Sequence, residues 1–145
     1  MTSILITTAN GATGRPMVDY LLREGFDVRA MVHTDDERAQ RLRDKGADVV
    51  FGDLLNLPDV RKALEGVQRA YFNYPIGDGL VEAAVMFAQA AREEDLELIV
   101  SMSHFQSRPH AHSKATQNHW LSEQLFAWSG VPNTQLQVQV TFFMQ

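Results

Sequence analysis

Cysteine is absent from the 145-residue chain, so disulfides, thiolate metal ligands and thiol nucleophiles are excluded as sources of stability or chemistry. Cationic side chains are few and scattered: 13 Lys and Arg stand against 18 Asp and Glu, for a formal charge of -5. A nucleic-acid backbone needs a basic face, so general nucleic-acid binding is not expected. An acidic average still leaves room for a locally basic phosphate pocket. No apolar run reaches membrane length and no leader pattern is evident, which makes the cytoplasm the expected location. Repeats, linkers and low-complexity tracts are also missing. With 45% hydrophobic and 21% charged residues, residues 1–145 read as a single domain with an adequate core.

What the chain does have is a strand-like apolar run, Ile4-Leu5-Ile6, that stops at a glycine-bearing turn with a helix starting immediately behind it. Glycines let backbone approach an anion closely, and the free N–H groups and positive dipole end of the helix then hold it. That arrangement points to a dinucleotide. Strand-like runs and helix-periodic segments then alternate along the chain. Strands are expected at Ser3–Thr7, Asp27–Val32, Ala47–Phe51, Gln68–Tyr74, Leu96–Met102 and Gln135–Phe143. Helices are expected from Arg15 to Gly25, from Asp35 or Asp36 to Gly46, from Pro58, along Leu80, Val81, Ala84, Val85 and Ala88, and along Leu121, Leu125 and Trp128. The alternation predicts an α/β fold, a doubly wound parallel sheet of strand order 3-2-1-4-5-6 with helices on both faces.

The turn itself reads Thr8-x-x-Gly11-x-x-Gly14. Gly11 and Gly14 supply close approach to a pyrophosphate and tight helix-on-strand packing, but Thr8 must make the first turn with a β-branched side chain. This departure predicts weakened or reshaped cofactor binding. An αβ turn with no ligand is the alternative reading of the motif.

Read with Asp27-Val28-Arg29-Ala30-Met31-Val32 and Gly52-Asp53-Leu54, the stretch Ile4 to Leu22 resembles the NmrA-like branch of the atypical short-chain dehydrogenase/reductases. The likeness continues through Gly66-Val67, Val100-Ser101-Met102-Ser103, His119 to Gln124, and Ser129-Gly130-Val131-Pro132 leading to Phe142-Phe143. It implies an NAD(P)-binding Rossmann domain and, in fuller members, a smaller C-terminal region that closes over substrate. Family members continue beyond the strand where this chain stops, so truncation is expected. The segment Gln135 to Thr141 also departs from the Arg-Pro usual before the paired aromatics. The cofactor set is then Thr8, Asn10, Gly11, Ala12, Thr13, Gly14 and Arg15 at the turn, His33, Asp53 and Leu54 beyond it, and Tyr74, Pro75, Ser101 and His119 further along.

No Tyr-x-x-x-Lys pair is present: Tyr20, Tyr71 and Tyr74 all lack a lysine four residues on. The polar stretch after strand five, Ser103, His104, Gln106, Ser107, Arg108, His110 and His112, faces the ligand crevice in such sheets. His104 is the candidate for acceptor contact or proton donation, against a solvated loop histidine. His110-x-His112 lacks a matched third ligand, so no metal site is expected. His119 and Glu123 lie four apart and read as a surface pair, although His119 stands where relatives often carry a lysine near the nicotinamide ribose. Trp120 and Trp128 read as packing residues.

His33 stands where the family commonly has an arginine, and Arg15 follows the last glycine. Two donors favour NADP over NAD, with Asp35 and Asp36 read as helix caps. Three functions remain open. The first is an NADPH-dependent oxidoreductase passing hydride to a small acceptor such as a quinone. The second is a non-catalytic NAD(P)-sensing regulatory module, and the third is a folded remnant that binds weakly.

Overall fold

The computed structural model describes residues 1–75 and 77–139. Its elements run β1 (Ser3–Ile6), α1 (Gly14–Arg23), β2 (Asp27–Val32), α2 (Glu37–Asp44), β3 (Asp48–Phe51), α3 (Leu57–Leu64), β4 (Arg69–Phe72), α4 (Leu80–Glu93), β5 (Leu98–His104), α5 (Lys114–Trp128) and β6 (Asn133–Val138). All neighbouring strands pair in parallel, in the order β3-β2-β1-β4-β5-β6. This is the expected doubly wound sheet. The order reverses between β1 and β4, so their carboxyl ends diverge into a crevice, and the turn after β1 opens there.

Each face of the sheet buries its own core. On one side, Val18 of α1 and Ala39 and Leu42 of α2 cover Ile6, Val28, Ala30 and Val32. On the other, α3, α4 and α5 pack over Leu5, Ala70, Phe72 and Ile99. Phe72 anchors this second core, its ring 4.8 Å from Phe87 and 5.4 Å from Phe126 between centroids. Polar residues fix the helix starts as their types predict. Asp36 accepts from the amides of Arg38 and Ala39, and Asn56 accepts from that of Asp59. Among the described residues, no helix is long and apolar enough to cross a membrane.

Three expectations are corrected. Strand five runs on to His104 because Met102, Ser103 and His104 pair with Leu136, Gln137 and Val138 of β6; Ser103 and His104 are therefore sheet residues, not loop residues. Helix α5 buries Ser122 and Phe126, whereas Leu121 and Trp128 are exposed, Trp128 at 72%. On α4, Val85 is exposed and Phe87 takes its place in the core. Strand six ends at Val138, and the expected extension over 140–143 lies outside the described residues.

The site depends on how closely α1 approaches the turn. A Cβ on Gly14 would lie 2.8 Å from the Ala9 Cα and closer still to the Thr8 carbonyl oxygen, and neither backbone atom can yield without moving β1. Gly14→Ala is therefore expected to cost about 1–3 kcal/mol through overpacking, read as a lower urea midpoint. An unchanged midpoint would show that helix and strand are not held this tightly.

Candidate functional site

The turn after β1 begins at Thr7, buried and clamped to the neighbouring strand. Its hydroxyl accepts from the Asn73 amide at 2.9 Å and lies 3.1 Å from the Tyr71 and Asn73 carbonyls. Thr8 then adopts φ 49°, a left-handed conformation in which glycine is normal and a β-branched residue is strained. Its carbonyl accepts from the Gly11 amide at 2.8 Å, and the Ala9 amide donates to the Met31 carbonyl at 3.2 Å. The amides of Asn10, Ala12 and Thr13 make no hydrogen bond among the described residues. The buried Thr8 Oγ1 and Asn10 Oδ1 have no partner either. Unpaired polar groups of this kind are costly unless a ligand completes them. A Cβ at Gly11 would sit 3.1 Å from the Thr8 carbonyl oxygen, closer than Cβ atoms normally come to a carbonyl. These residues fit a pyrophosphate.

A cavity of about 300 Å³ lies on the β2 and β3 side of the turn, lined by Thr8, Met31, Val32, His33, Gly52, Asp53, Leu54, Leu55, Tyr74 and Pro75. Its apolar floor and polar rim suit an adenosine. His33 Nε2 is 3.9 Å from Asp53 Oδ2, and both side chains are largely exposed. Asp53 Oδ1 is already engaged by the Leu55 amide. Asp36 is occupied by its cap and by Arg38, and Asp35 pairs with Arg43 at 3.1 Å, which leaves neither carboxylate directed at a ribose. Arg15 is exposed and has no ion-pair partner among the described residues. Burial, with the charges of Asp53, Glu82 and Asp78 behind it, raises the pKa of the Tyr74 phenol, whose hydroxyl donates to the Asp78 carbonyl at 3.3 Å.

A second cavity, about 240 Å³, opens beyond the same turn between β4, β5 and α5. Ala12, Thr13, Asn73, Tyr74, Pro75, Met102, Ser103, His104, His119 and Val138 line it. Thr13 Oγ1 is hydrogen-bonded to the Tyr71 hydroxyl at 3.1 Å, and burial raises that phenol's pKa while the Thr13 bond opposes the shift. His104 and His119 face one another with ring centroids 6.2 Å apart. His104 Nδ1 accepts from the Gln106 amide at 3.1 Å, so a neutral ring carries its proton on Nε2.

Sequence reasoning missed the wall behind these rings. Ser103 Oγ donates to Glu123 Oε1, and Gln137 Nε2 reaches the same carboxylate at 3.2 and 3.3 Å. Glu123 thus ties α5 to the ends of β5 and β6 and is not paired with His119 on the surface. Continuing the strand's two-residue alternation past Met102 would have placed Ser103 in the sheet, but not its bond to Glu123. Ser101 lies deeper in β5, buried, and lines neither cavity. His110 and His112 line a separate hollow with Arg108, and among the described residues no group of three His, Asp or Glu converges.

Burial lowers the His119 pKa, the neighbouring His104 lowers it further and Glu123 partly opposes them. A histidine held neutral in the fold binds its proton more readily when unfolded. Its contribution to stability is therefore present above about pH 6.5 and is lost as pH falls through the lowered folded value. In His119→Gln, the decline of urea stability on acidification from pH 7 to 5 should be shallower than in the wild type. An identical slope would place His119 in solvent.

Comparison with known proteins agrees with the geometry. Sterol demethylase protein B of Methylococcus capsulatus is 32% identical over 127 residues, covering 80% of this chain and 38% of that protein. Triphenylmethane reductase of Citrobacter sp. superposes with a TM-score of 0.83 at 23% identity, over 97% of this chain and 51% of that one. The NADPH-dependent quinone oxidoreductase of Escherichia coli, solved with NADPH, gives 0.79 at 23% over 92% and 48%. The chain thus spans about half the length of these solved structures, whose likeness extends to the fold. The family model described as NAD(P)H-binding matches residues 8–134, from the strained threonine of the turn to the start of β6, and the chain belongs to this NAD(P)H-binding family.

Proposed function

We propose that this NAD(P)H-binding chain is the cofactor domain of an NADPH-dependent oxidoreductase that reduces a small, uncharged carbonyl acceptor such as a quinone. The observation that carries this reading is the second cavity, which shares Thr13 and Tyr74 with the phosphate turn or the adenosine side and places His104 and His119 opposite them. Its lining has no lysine, arginine or aspartate, and Glu123 behind it is already engaged by Ser103 and Gln137. Such a lining suits an apolar ring with a hydrogen-bonding oxygen and disfavours an ionic substrate.

When bound, the nicotinamide supplies the hydride. The amides of Asn10, Ala12 and Thr13 hold the pyrophosphate, and Asp53, Leu54 and Tyr74 border the adenosine. Pro75, Met102 and Val138 keep water from the acceptor. His104, its Nδ1 tied to the Gln106 amide, offers Nε2–H as a hydrogen bond that polarises the acceptor oxygen for hydride attack, and the reduced oxygen takes its proton from solvent as the product leaves. The missing Tyr-x-x-x-Lys pair favours a second reading, a regulatory module that binds NAD(P) without turnover. Steady-state NADPH oxidation with a soluble quinone separates the two. His104→Gln is expected to lower kcat at least about tenfold, equivalent to about 1.4 kcal/mol, with NADPH affinity retained. Absence of quinone-dependent oxidation in the wild type would favour the regulatory reading.

Cofactor preference follows from the adenosine rim. The free guanidinium of Arg15 and the imidazole of His33 favour a 2′-phosphate, so NADP is expected to bind more tightly than NAD, and Arg15→Ala with His33→Ala should erase the difference. A preference for NAD in calorimetric titration would assign the ribose to Asp53 instead. In Gly11→Val the branched side chain fills the cradle, and NADP affinity should fall about a hundredfold or more, equivalent to about 2.8 kcal/mol, with the circular dichroism spectrum unchanged. Equal affinity in a folded variant would remove the turn from the phosphate site.

A further inference from the structure

We infer that Thr8 is a ligand-reading residue, its hydroxyl donating a hydrogen bond to a phosphate or ribose oxygen on the adenosine half of the dinucleotide. This inference rests on the dinucleotide reading and names one contact within it.

Three observations converge on this side chain. Thr8 holds φ 49°, and the other described non-glycine residue in this region is Asp95 at φ 50°, just beyond the end of α4. Aspartate tolerates that conformation through its short polar side chain, but a β-branched residue does not. Second, Thr8 Oγ1 is buried without a hydrogen-bond partner, so in the free protein the hydroxyl is a cost with no compensating bond. Third, Thr8 lines the adenosine-side cavity together with His33, Asp53 and Tyr74.

The fold itself needs only the backbone of this residue: the carbonyl accepts from Gly11 and stands against Gly14. Glycine would supply that backbone without steric strain. A strained residue with an unsatisfied hydroxyl at the wall of a ligand cavity is the combination from which a functional role is inferred. With Oγ1 buried while Thr8 lines the cavity, a rotation about χ1 brings the hydroxyl to the ligand, whose oxygen completes the missing bond. On this account the threonine reshapes the cofactor site by adding a donor, rather than weakening it.

The test is calorimetric titration of NADP and of 2′,5′-ADP into the wild type, Thr8→Val, Thr8→Ser and Thr8→Gly, with urea midpoints measured in parallel. Thr8→Val keeps the branch and the volume but removes the donor. It should weaken both ligands about tenfold, as expected for loss of one hydrogen bond to a charged oxygen, without lowering the urea midpoint. Thr8→Ser should bind within about threefold of the wild type. Thr8→Gly should be no tighter than the wild type, despite its relaxed backbone. If the wild type binds NADP and Thr8→Val binds it equally well, or Thr8→Gly binds more tightly, the hydroxyl has no such role and the inference fails alone. If the wild type binds neither ligand, the dinucleotide reading fails and takes this inference with it.

Discussion

The contact on which the rest of the molecule depends is the one between the first turn of α1 and the backbone just past β1. Gly14 has no room for a Cβ against Thr8 and Ala9, so the helix axis is pulled onto the strand end and its first amides are brought beside the turn. Thr7, one residue earlier, bonds to Asn73 beyond β4 and so fixes the turn to the neighbouring strand at the point where strand order reverses. The phosphate cradle is the space left by these two constraints. An anion placed there meets N–H groups and the positive end of a helix without any cationic side chain being required, which reconciles an acidic chain with an anionic cofactor.

From that turn the two cavities diverge, one toward β2 and β3, the other toward β5 and α5. They differ in chemistry. The first combines an apolar floor with His33 and Asp53 at an open rim. The second is walled by Met102, Pro75 and Val138, with two imidazoles and the Tyr74 phenol as its titratable groups and a carboxylate, Glu123, engaged behind it by Ser103 and Gln137. Burial and the proximity of His104 hold the His119 pKa down. A carboxylate thus lines the first cavity, at Asp53, and not the second.

Most of the architecture was legible because local signals and tertiary packing agree. The strands of the first half are apolar runs of the right length, the turns carry glycines, and Asp36 and Asn56 sit where caps are needed. The turn was legible for the same reason, down to the misfit of Thr8. Legibility failed where packing overrides pattern. Helix α5 exposes Trp128 and Leu121 but buries Ser122, because its inner face meets the polar ends of β5 and β6 as well as the Phe72 cluster. Ser103 and His104 look like loop residues in isolation and are held in the sheet by β6, whose paired residues lie 34 positions further along the sequence. The bridge through Glu123 joins three elements and has no signature within any one of them.

The central claim is that one ligand lies across both cavities with its pyrophosphate on the turn after β1. Amide chemical-shift mapping on the isotope-labelled chain with NADP tests it most directly. The account predicts saturable shifts at Asn10 to Arg15, at Asp53 to Leu55, and at His104 and His119, with the outer hollow at His110 and His112 unmoved. Shifts confined to that hollow, or absent from Asn10 to Arg15, would contradict it.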